Sequence, residues 1–282
     1  MPELPEVETI RRQLHKALEG KKIAKIEVLR DKSFDGDPNK PVGWEVDKVD
    51  RKAKLIEIYF KKKEYLLIVH LKMTGQLVFV EDNSRIVGGH PTSDWVKSLP
   101  SKHTRVIINF QDESKLFFND MRVFGWIRMV EKQSYENTMR KTVPDVTDKE
   151  FTLDYFDGLL KKTTKAIKLL IMDQEKIGGI GNIYANDALY LAKVRPNRKA
   201  NSLNKREKFE LLKSIKEVIN KGIKYGGASA ANYVDTKGLG GTYQDHFLVY
   251  KKDGQNCNKC GSKILKMKIG GRGTYYCPKC QQ

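Results

Sequence analysis

The sequence predicts a multi-domain α+β protein in which a β-rich part, a helical part and a small cysteine-rich part follow one another. Three observations support this prediction. Short β-branched and aromatic segments fill the first half of the chain, apolar residues recur at helical spacing after residue 147, and all four cysteines lie between residues 257 and 280. The length of 282 residues is sufficient for two domains and an appendage.

The first predicted element is a helix over residues 2–18. The chain starts MPELPEVETI, and Pro5 suits the beginning of a helix, where its missing N–H would have no partner in any case. Glu6 lies near the positive end of the helix dipole, and Ile10, Leu14 and Leu18 recur at helical spacing. Taken alone, this pattern also describes an ordinary helix start that carries acidic residues.

The next part of the chain is predicted to form β-hairpins. Its β-branched and aromatic segments are KLIEIYF (54–60), YLLIVHL (65–71), RVIINF (105–110) and KLFFND (115–120), with the turn residues QDES (111–114) between the last two. The segment from residue 81 to residue 103 is polar and is predicted to be a long loop.

From residue 147 the pattern becomes helical. Thr147 and Glu150 have the spacing of a capping box, which predicts a helix start there. Further helices are predicted over 166–174, 185–194 and 208–223. Residues 226–245 are rich in glycine, serine, threonine and asparagine, and we interpret them as a functional loop.

A glycine cluster lies just before one of these helices. Gly178, Gly179 and Gly181 precede Asn182, and glycine turns at a helix N-terminus expose backbone N–H groups to an anion. An ordinary turn between helices explains the same pattern. The cluster does not match a nucleotide-binding fingerprint, because no parallel strand leads into it.

The cysteines form the pattern C-x2-C-x16-C-x2-C. This spacing suits one tetrahedral Zn²⁺ in a closed, structural site, and the ligands are Cys257, Cys260, Cys277 and Cys280. Each C-x-x-C pair has a redox alternative, but the βαβ context of such a pair is missing. Between the pairs, KIGGRGTYY (268–276) predicts a hairpin tip where Arg272 can approach a phosphate, unless it is simply a solvated arginine in a turn.

Charge indicates the class of partner. The net charge is +18, spread along the chain, and a folded protein this basic usually has a polyanionic partner, with nucleic acid first among them. A generally lysine-rich proteome is the alternative explanation. No apolar stretch is long enough to span a membrane and no signal peptide is recognisable, so we expect a soluble intracellular protein.

Five motifs occur together in a characteristic order. They are MPELPEVET, HLKMTG (70–75), NDMRVFGW (119–126), DQEKIGGIGNIYAND (173–187) and the terminal four-cysteine module. In the order of these motifs, the sequence resembles the formamidopyrimidine-DNA glycosylases from end to end. Leu4 stands where the related endonuclease VIII branch typically has glycine, which favours the oxidised-purine branch. The resemblance implies an N-terminal β-sandwich (1–135), a helix–two-turn–helix domain (147–248) and a zinc finger (249–282).

The resemblance also implies a catalytic role for the chain start. Once Met1 is removed, Pro2 carries a secondary amine with a pKa of about 8, so a useful fraction is neutral and can attack the sugar C1′. Glu3 is the expected general acid/base, and Glu6 is expected to position the amine or a water. Lys54 matches the family's phosphate-gripping lysine and is counted with the catalytic residues.

Other matched positions are expected to bind DNA. A flipped base leaves a hole in the stack, and Met73, Arg122 and Phe124 match the family's void-filling residues, although Met73 alone is as typical of a core. Asn182 and Arg272 match phosphate contacts, and His70 supports the region of Met73 or is a packed histidine. Loop 233–245 corresponds to the segment that closes over the flipped base, where backbone N–H groups near Thr242 and Tyr243 can bind a purine O6.

The sequence departs from the family at two places. Val123 occupies a position that is often basic, and the 81–103 segment is longer than usual. We expect a bifunctional glycosylase and abasic-site lyase that acts as a monomer on oxidised purines in double-stranded DNA, in the bacterial cytoplasm. Two alternatives stay open, a preference for oxidised pyrimidines and a zinc-finger DNA-binding protein without catalysis. The intact Pro2–Glu3 start argues against the second.

Overall fold

The computed structural model of the chain describes residues 2–82, 84–89, 98–140, 143–228 and 241–282. Contacts within the chain divide it into two compact units. The first contains Met1–Thr142 and Gly226–Thr242, and the second contains Val143–Tyr225 and Tyr243–Gln282. The predicted boundaries of the three domains stay a prediction.

Helix α1 opens the first unit and spans Leu4–Leu18. Its start is a capping box, in which the Glu3 side chain accepts the Glu6 N–H and the Glu6 side chain accepts the Glu3 N–H. The predicted apolar stripe of Ile10, Leu14 and Leu18 is buried. The predicted N-terminal helix is therefore confirmed, and its first turn is held by two glutamates.

Ten strands follow α1 among the described residues of the first unit. They are β1 Ile23–Val28, β2 Phe34–Asp35, β3 Val46–Lys52, β4 Leu55–Phe60, β5 Tyr65–His70, β6 Gly75–Glu81, β7 Ser84–Gly89, β8 Thr104–Phe110, β9 Lys115–Asp120 and β10 Trp126–Glu131. A short helix α2, Lys132–Tyr135, comes next. One sheet has the order β1-β8-β9-β6-β7 and the other the order β2-β10-β5-β4-β3.

The two sheets share one hydrophobic core. Residues of both inner faces and of α1 belong to the same buried cluster, for example Phe79 and Phe118 from one sheet, Ile58 and Val69 from the other, and Leu14 from the helix. All neighbouring strands are antiparallel except β2 and β10. This is the predicted β-sandwich, and the four strands predicted from sequence correspond to β4, β5, β8 and β9.

The prediction of one long loop over 81–103 is wrong for the part that the structure describes. Ser84–Gly89 forms β7, which pairs with β6 from Gln76↔Gly89 to Glu81↔Ser84. The strand was missed because SRIVGG has only two β-branched apolar residues, and its pairing with a neighbouring buried strand stabilises it instead. Asn83 and residues 90–97 of the predicted loop lie outside the described residues.

The second unit contains four α-helices among its described residues, besides the 3-10 turns Ala200–Ser202 and Tyr243–His246. They are α3 Leu153–Lys161, α4 Ile167–Ile171, α5 Asn182–Leu191 and α6 Lys205–Lys224. The helix start predicted at Thr147 is wrong. Thr147 instead donates its N–H and its hydroxyl to Asp145, and Thr152 caps α3 by accepting the Tyr155 N–H. Local hydrogen bonding to an aspartate therefore outweighed the capping pattern.

The C-terminal end of the second unit is a two-stranded hairpin between the cysteine pairs. Strand β11, Leu265–Ile269, pairs with β12, Arg272–Tyr276. Gly270 and Gly271 connect them with φ values of 54° and 76°, as a two-residue hairpin turn requires. The predicted hairpin tip is confirmed. Within the described residues, no helix has the length and apolar character that a membrane span needs.

Candidate active site and nucleic-acid interface

The start of α1 concentrates the residues that the sequence predicts to be catalytic. Pro2 and Glu3 are buried, and Glu3 is only 2% exposed. The Glu6 carboxylate accepts the Glu3 N–H at 2.7 Å through one oxygen and the Ala228 N–H at 2.6 Å through the other. Glu6 therefore joins the peptide next to Pro2 to the base of the glycine-rich loop.

The ends of that loop meet at a site where a side chain would not fit. Ala228 and Thr242 form a β-bridge, and a Cβ on Gly241 would lie 2.3 Å from the Gly227 carbonyl oxygen. A Cβ on Gly227 would lie 2.7 Å from the Glu6 carboxylate. Glycine is needed at both positions for this close approach. Most of the predicted base-closing loop, residues 233–240, lies outside the described residues.

Lys54 lies in the turn between β3 and β4, and the structure ties this turn to α1. Arg51 donates to the Ala53 carbonyl oxygen at 3.0 Å and to the Glu8 carboxylate of α1 at 3.0 Å. Burial opposes the charge on Glu8, but hydrogen bonds from Arg11, Arg12 and Arg51 outweigh it and hold the Glu8 pKa below its usual value. Lys54 itself is buried and 6% exposed.

The predicted void-filling residues come together at an exposed edge of the first unit. Met73 is 44% and Phe124 is 52% exposed, and the Arg122 guanidinium lies 4.6 Å from the Phe124 ring centroid. Arg122 also contacts the Met73 sulfur at 3.4 Å. We call residues 120–125 the wedge turn. Exposed apolar and cationic side chains side by side suit insertion between bases.

Two features of the wedge turn were missed from the sequence. Asp120, fully buried, accepts backbone N–H groups of the turn. Met121 extends the exposed apolar surface and is itself 48% exposed. Val123, noted from sequence only as a missing basic residue, adopts a left-handed φ of 55°, which is unfavourable for a β-branched side chain.

His70 lies behind the same edge, at the end of β5. Its Nδ1 accepts the Lys72 N–H at 2.9 Å, and its ring packs edge-on to Trp126. Burial, together with the charges of Lys72 and Lys54, lowers its pKa to about 3. His70 is therefore neutral near pH 7 and caps the turn that carries Met73, which agrees with a supporting role and not with a charged phosphate contact.

The second unit brings Asn182 and the tip of the hairpin together. Asn182 is the first residue of α5, directly after the glycine cluster, and its side-chain amide donates to the Gly273 carbonyl oxygen at 3.1 Å. The buried Lys168 donates to the same oxygen at 3.1 Å and to the Thr274 hydroxyl at 2.7 Å. We call residues 269–272 the finger turn. Its Arg272 is exposed beside a helix N-terminus, a suitable arrangement for an anion.

Thr242 and Tyr243 lie in different environments. Thr242 is exposed, whereas Tyr243 is buried, with its ring 4.8 Å from that of Tyr184 and its hydroxyl donating to Asp187 at 3.2 Å. Burial raises the pKa of Asp187, which also accepts the Val249 N–H. The Tyr243 side chain is therefore a packing element, and the prediction of base recognition concerns the backbone alone.

The four cysteine sulfurs lie within 4.8 Å of one another. The distance from Cys257 Sγ to Cys280 Sγ is 3.8 Å, and Cys260 Sγ lies 3.4 Å from Cys277 Sγ. Tetrahedral zinc with Zn–S bonds of about 2.3 Å requires sulfurs about 3.8 Å apart, so the cluster fits this ion. With four protein ligands and no open position, the zinc is structural.

Comparisons with known proteins agree with these motifs along the whole chain. Three family models match: the formamidopyrimidine-DNA glycosylase N-terminal domain at residues 1–127, the H2TH domain of the same glycosylase at 143–233, and the zinc finger found in FPG and IleRS at 254–282. The formamidopyrimidine-DNA glycosylases of Listeria monocytogenes and of an Exiguobacterium species are 35% and 37% identical, and each match covers 100% of both chains.

Solved structures agree as well. The Lactococcus lactis protein in complex with abasic-site DNA has a TM-score of 0.87 and 32% identity, with 100% of both chains covered. A variant of the same protein in complex with DNA that contains Fapy-dG has a TM-score of 0.88 at the same identity and coverage. With relatives this similar over its full length, the chain belongs to the formamidopyrimidine-DNA glycosylase family.

Proposed function

We propose that the protein is a bifunctional DNA glycosylase and abasic-site lyase of base excision repair. It excises 8-oxoguanine and formamidopyrimidines from double-stranded DNA and then cleaves the strand by β,δ-elimination. The observation that carries this proposal is the start of α1, where Pro2 is followed by the buried carboxyl group of Glu3. A secondary amine beside a shielded acid/base group suits covalent catalysis at a sugar carbon.

The reaction begins with attack of the neutral Pro2 nitrogen on C1′. The C1′–N bond to the damaged base breaks, its electron pair leaves with the base, and a proton supplied at the site completes the free base. The sugar ring opens and leaves an iminium cation between C1′ and Pro2. Glu3 is the group positioned to move protons at the sugar in these steps.

The iminium then acts as an electron sink. Loss of a C2′ proton forms a C2′=C3′ double bond and breaks the C3′–O bond, so the strand on the 3′ side leaves with a 5′ phosphate, which is the β-elimination. Loss of a C4′ proton breaks the 5′ C–O bond in the same way, and water then hydrolyses the remaining iminium and regenerates Pro2. No redox partner is needed, because each step moves only protons and leaving groups.

Glu6 acts in this scheme by positioning. Its two oxygens already accept the N–H groups of Glu3 and Ala228, so it orients the peptide that carries Pro2. Lys54 lies in a turn held to α1 through Arg51 and Glu8, which suits a cation that holds a phosphate next to the reacting sugar.

DNA binding in this proposal rests on charge and on the exposed residues of both units. The net charge of +18 attracts the phosphate backbone, and Asn182 and Arg272 provide contacts at a helix N-terminus. Met73, Arg122 and Phe124 fill the space that the flipped base leaves. We also propose that the enzyme acts as a monomer on chromosomal DNA in the bacterial cytoplasm.

Oxidised pyrimidines are a second substrate class that one observation favours. The wild-type Lactococcus lactis protein, 32% identical, has been solved with DNA that contains an oxidised pyrimidine, at a TM-score of 0.86. By this likeness we infer that the present protein accepts such lesions in addition to purines, with purines as the preferred class.

The proposal is tested by single-turnover cleavage and borohydride trapping on duplexes that carry 8-oxoguanine, a formamidopyrimidine or an oxidised pyrimidine, with an undamaged duplex as control. We expect excision and a covalent adduct with all three lesions, fastest with the two purines. The matched control is the protein with an uncleaved extension before Pro2, which should bind abasic-site DNA but form no adduct. Full lyase activity of the extended protein would exclude Pro2 as the nucleophile.

Salt dependence tests the phosphate contacts separately. If Lys54, Arg272 and neighbouring lysines and arginines neutralise about five phosphates, log K should fall with log salt at a slope of roughly −4 to −5. Arg272→Ala should weaken binding to all sequences alike and flatten this slope by about one unit. A slope near zero for the unchanged protein would show that cationic side chains do not bind the DNA phosphates.

A further inference from the structure

A single buried carboxylate organises the wedge turn. Asp120 ends β9 and is fully buried, and both of its oxygens are directed at the turn that follows. One oxygen accepts the Phe124 N–H at 2.8 Å and the Gly125 N–H at 2.7 Å. The other accepts the Arg122 N–H at 3.2 Å and the hydroxyl of Thr74.

The Thr74 hydroxyl connects the two segments that carry the void-filling side chains. It donates to Asp120 and accepts the Arg122 N–H at 3.2 Å, and it belongs to the residue next to Met73. Asp120 and Thr74 are 46 residues apart in sequence, and both are buried. Met73 and the wedge turn are therefore held to each other by this hydroxyl and carboxylate.

The turn that Asp120 holds is one that the chain would not adopt by itself. Val123 has a left-handed φ of 55°, which a β-branched residue avoids. At Gly125, an added Cβ would lie 2.8 Å from Phe118, 2.9 Å from the His70 carbonyl oxygen and 3.2 Å from the Asp120 carboxylate. Such a conformation persists only where the surroundings determine it, and here three backbone N–H groups are bound to one side chain.

We propose that Asp120 is the positioning residue for lesion extrusion. By binding the wedge turn and Thr74 at once, it presents Met73, Arg122 and Phe124 as one preorganised unit that enters the DNA when the damaged base leaves. This inference rests on the proposed function. It adds a residue that touches neither the sugar nor the base and acts through the three side chains that do.

The chemistry of the site requires a carboxylate. Two oxygens accept four hydrogen bonds, and each oxygen has the lone pairs for two. An asparagine of the same shape offers one oxygen and one NH2 group. With its oxygen on the Phe124 and Gly125 N–H groups, its NH2 group can donate to the Thr74 hydroxyl but meets the Arg122 N–H, which is also a donor. Asp120→Asn therefore removes the acceptor of the Thr74 hydroxyl proton and sets a donor against the Arg122 N–H, at nearly unchanged volume.

The test compares two reactions that differ in their need for the wedge. Excision of 8-oxoguanine opposite cytosine needs the base to be extruded and the hole to be filled. Cleavage of an abasic site in single-stranded DNA needs only the Pro2 chemistry. The variants are Asp120→Asn, Thr74→Val and Thr74→Ser, and the matched control is Asp112→Asn, the same substitution in an exposed turn of the same unit.

Asp120→Asn and Thr74→Val should slow single-turnover excision by about tenfold or more, because each substitution leaves a buried hydrogen-bonding group without its partner. Abasic-site cleavage should change by less than about twofold, because the side-chain hydrogen bonds that the substitutions alter hold the wedge turn and Thr74, and the Pro2 chemistry proceeds without the wedge. Thr74→Ser and Asp112→Asn should excise at the wild-type rate. A 2-aminopurine next to the lesion should report wedge insertion in the wild type and a reduced signal in both slow variants.

Two results would overturn the inference while leaving the proposed function in place. One is wild-type excision by Asp120→Asn, and the other is an equal loss of excision and abasic-site cleavage, which a purely structural role predicts. Failure of the unchanged protein to excise any lesion would instead contradict the proposed function itself. Should Asp120→Asn not fold, Thr74→Val decides the question, since it removes one hydroxyl of the same network.

Discussion

The wedge turn and the finger turn each present an arginine to solvent, and they are built in opposite ways. In the finger turn, Gly270 and Gly271 adopt positive φ without strain, and the strands on either side pair directly. In the wedge turn, Val123 adopts a positive φ that valine disfavours. The buried Asp120 stabilises this conformation by accepting the N–H groups of Phe124 and Gly125. One turn is specified locally, and the other depends on tertiary contacts.

This difference decides what disturbs each turn. The finger hairpin is small, and its position depends on zinc at one end and on Lys168 and Asn182 at the other. The wedge turn lies on a β-sandwich with its own core, so it can lose its shape without loss of the fold.

The largest effect is expected in the finger. Cys277→Ser removes a zinc ligand, so the hairpin loses its fold and Arg272 its position. If two charged or polar phosphate contacts are lost, the affinity for abasic-site DNA should fall by roughly 10- to 100-fold. Equilibrium binding measures this, and zinc chelation followed by addition of zinc should reproduce and reverse it in the unchanged protein. The far-ultraviolet circular dichroism should stay largely intact, and its complete loss would contradict independent folding of the sandwich.

The next effect concerns the base opposite the lesion. That base loses its partner inside the stack, and Arg122 has only donors, which suit the O2 and N3 acceptors of cytosine better than the pairing edge of adenine. Lesions opposite cytosine should therefore be excised faster, by roughly 30-fold if an unpaired buried group costs about 2 kcal/mol. Arg122→Ala should shrink this preference in single-turnover assays, whereas Phe124→Ala should slow both substrates. Equal excision rates opposite cytosine and adenine in the unchanged protein would show that Arg122 does not recognise the base opposite the lesion.

Lowering the pH should reduce the contribution of His70, which caps the turn that carries Met73, to the free energy of unfolding. The pKa of His70 is about 3 in the folded protein against an ordinary value of 6.5, so folding favours the neutral ring. Its contribution is present above pH 6.5 and is lost as the pH falls towards 3, because the unfolded chain then binds a proton that the folded chain excludes. Between pH 7 and 5.5 this amounts to about 1.2 kcal/mol of unfolding free energy.

His70→Asn is the matched variant for that measurement, because its Oδ1 can replace Nδ1 as the acceptor for Lys72 but does not titrate. Urea unfolding at both pH values should show the variant losing less stability than the wild type. Lys54 and Lys72 supply the charges that face His70, and both residues are unchanged in the variant. Parallel losses in the two proteins would contradict a buried neutral His70.

The smallest effect tests the strain at Val123. A left-handed conformation costs an ordinary side chain about 1–2 kcal/mol, and asparagine tolerates it better than valine. Val123→Asn should therefore raise the unfolding free energy by about 0.5–1 kcal/mol in urea unfolding. Val42→Asn is the control, at an exposed valine without positive φ, and should change stability by less than about 0.5 kcal/mol. A destabilised Val123→Asn would show that the turn is not strained.

The same contrast explains what could be predicted from the sequence. The N-terminal helix, four strands and the finger turn follow from local patterns such as PELPEVET, YLLIVHL and two cysteine pairs around GG. The Asp120 network could not be predicted, because it joins Thr74 to a residue 46 positions away. The roles proposed for Pro2, Glu3 and Arg122 rest on the family resemblance, since acidic helix starts and exposed arginines are common.

Two local predictions failed for a related reason. Thr147 resembles a cap, but Asp145 binds its N–H and hydroxyl, so the helix starts at Leu153 instead. Strand β7 has little apolar character of its own and is stabilised by pairing with β6. In both places a contact with a neighbouring group outweighed the tendency of the segment itself.

The central claim, that Pro2 is the nucleophile, is tested most directly by locating the covalent bond. The wild-type protein is trapped with borohydride on a duplex that carries 8-oxoguanine opposite cytosine, digested, and analysed by mass spectrometry for the peptide that bears the sugar. We predict that the sugar is attached to the nitrogen of Pro2, with Met1 absent. Attachment to a lysine such as Lys54, or excision without any trapped adduct, would contradict the claim.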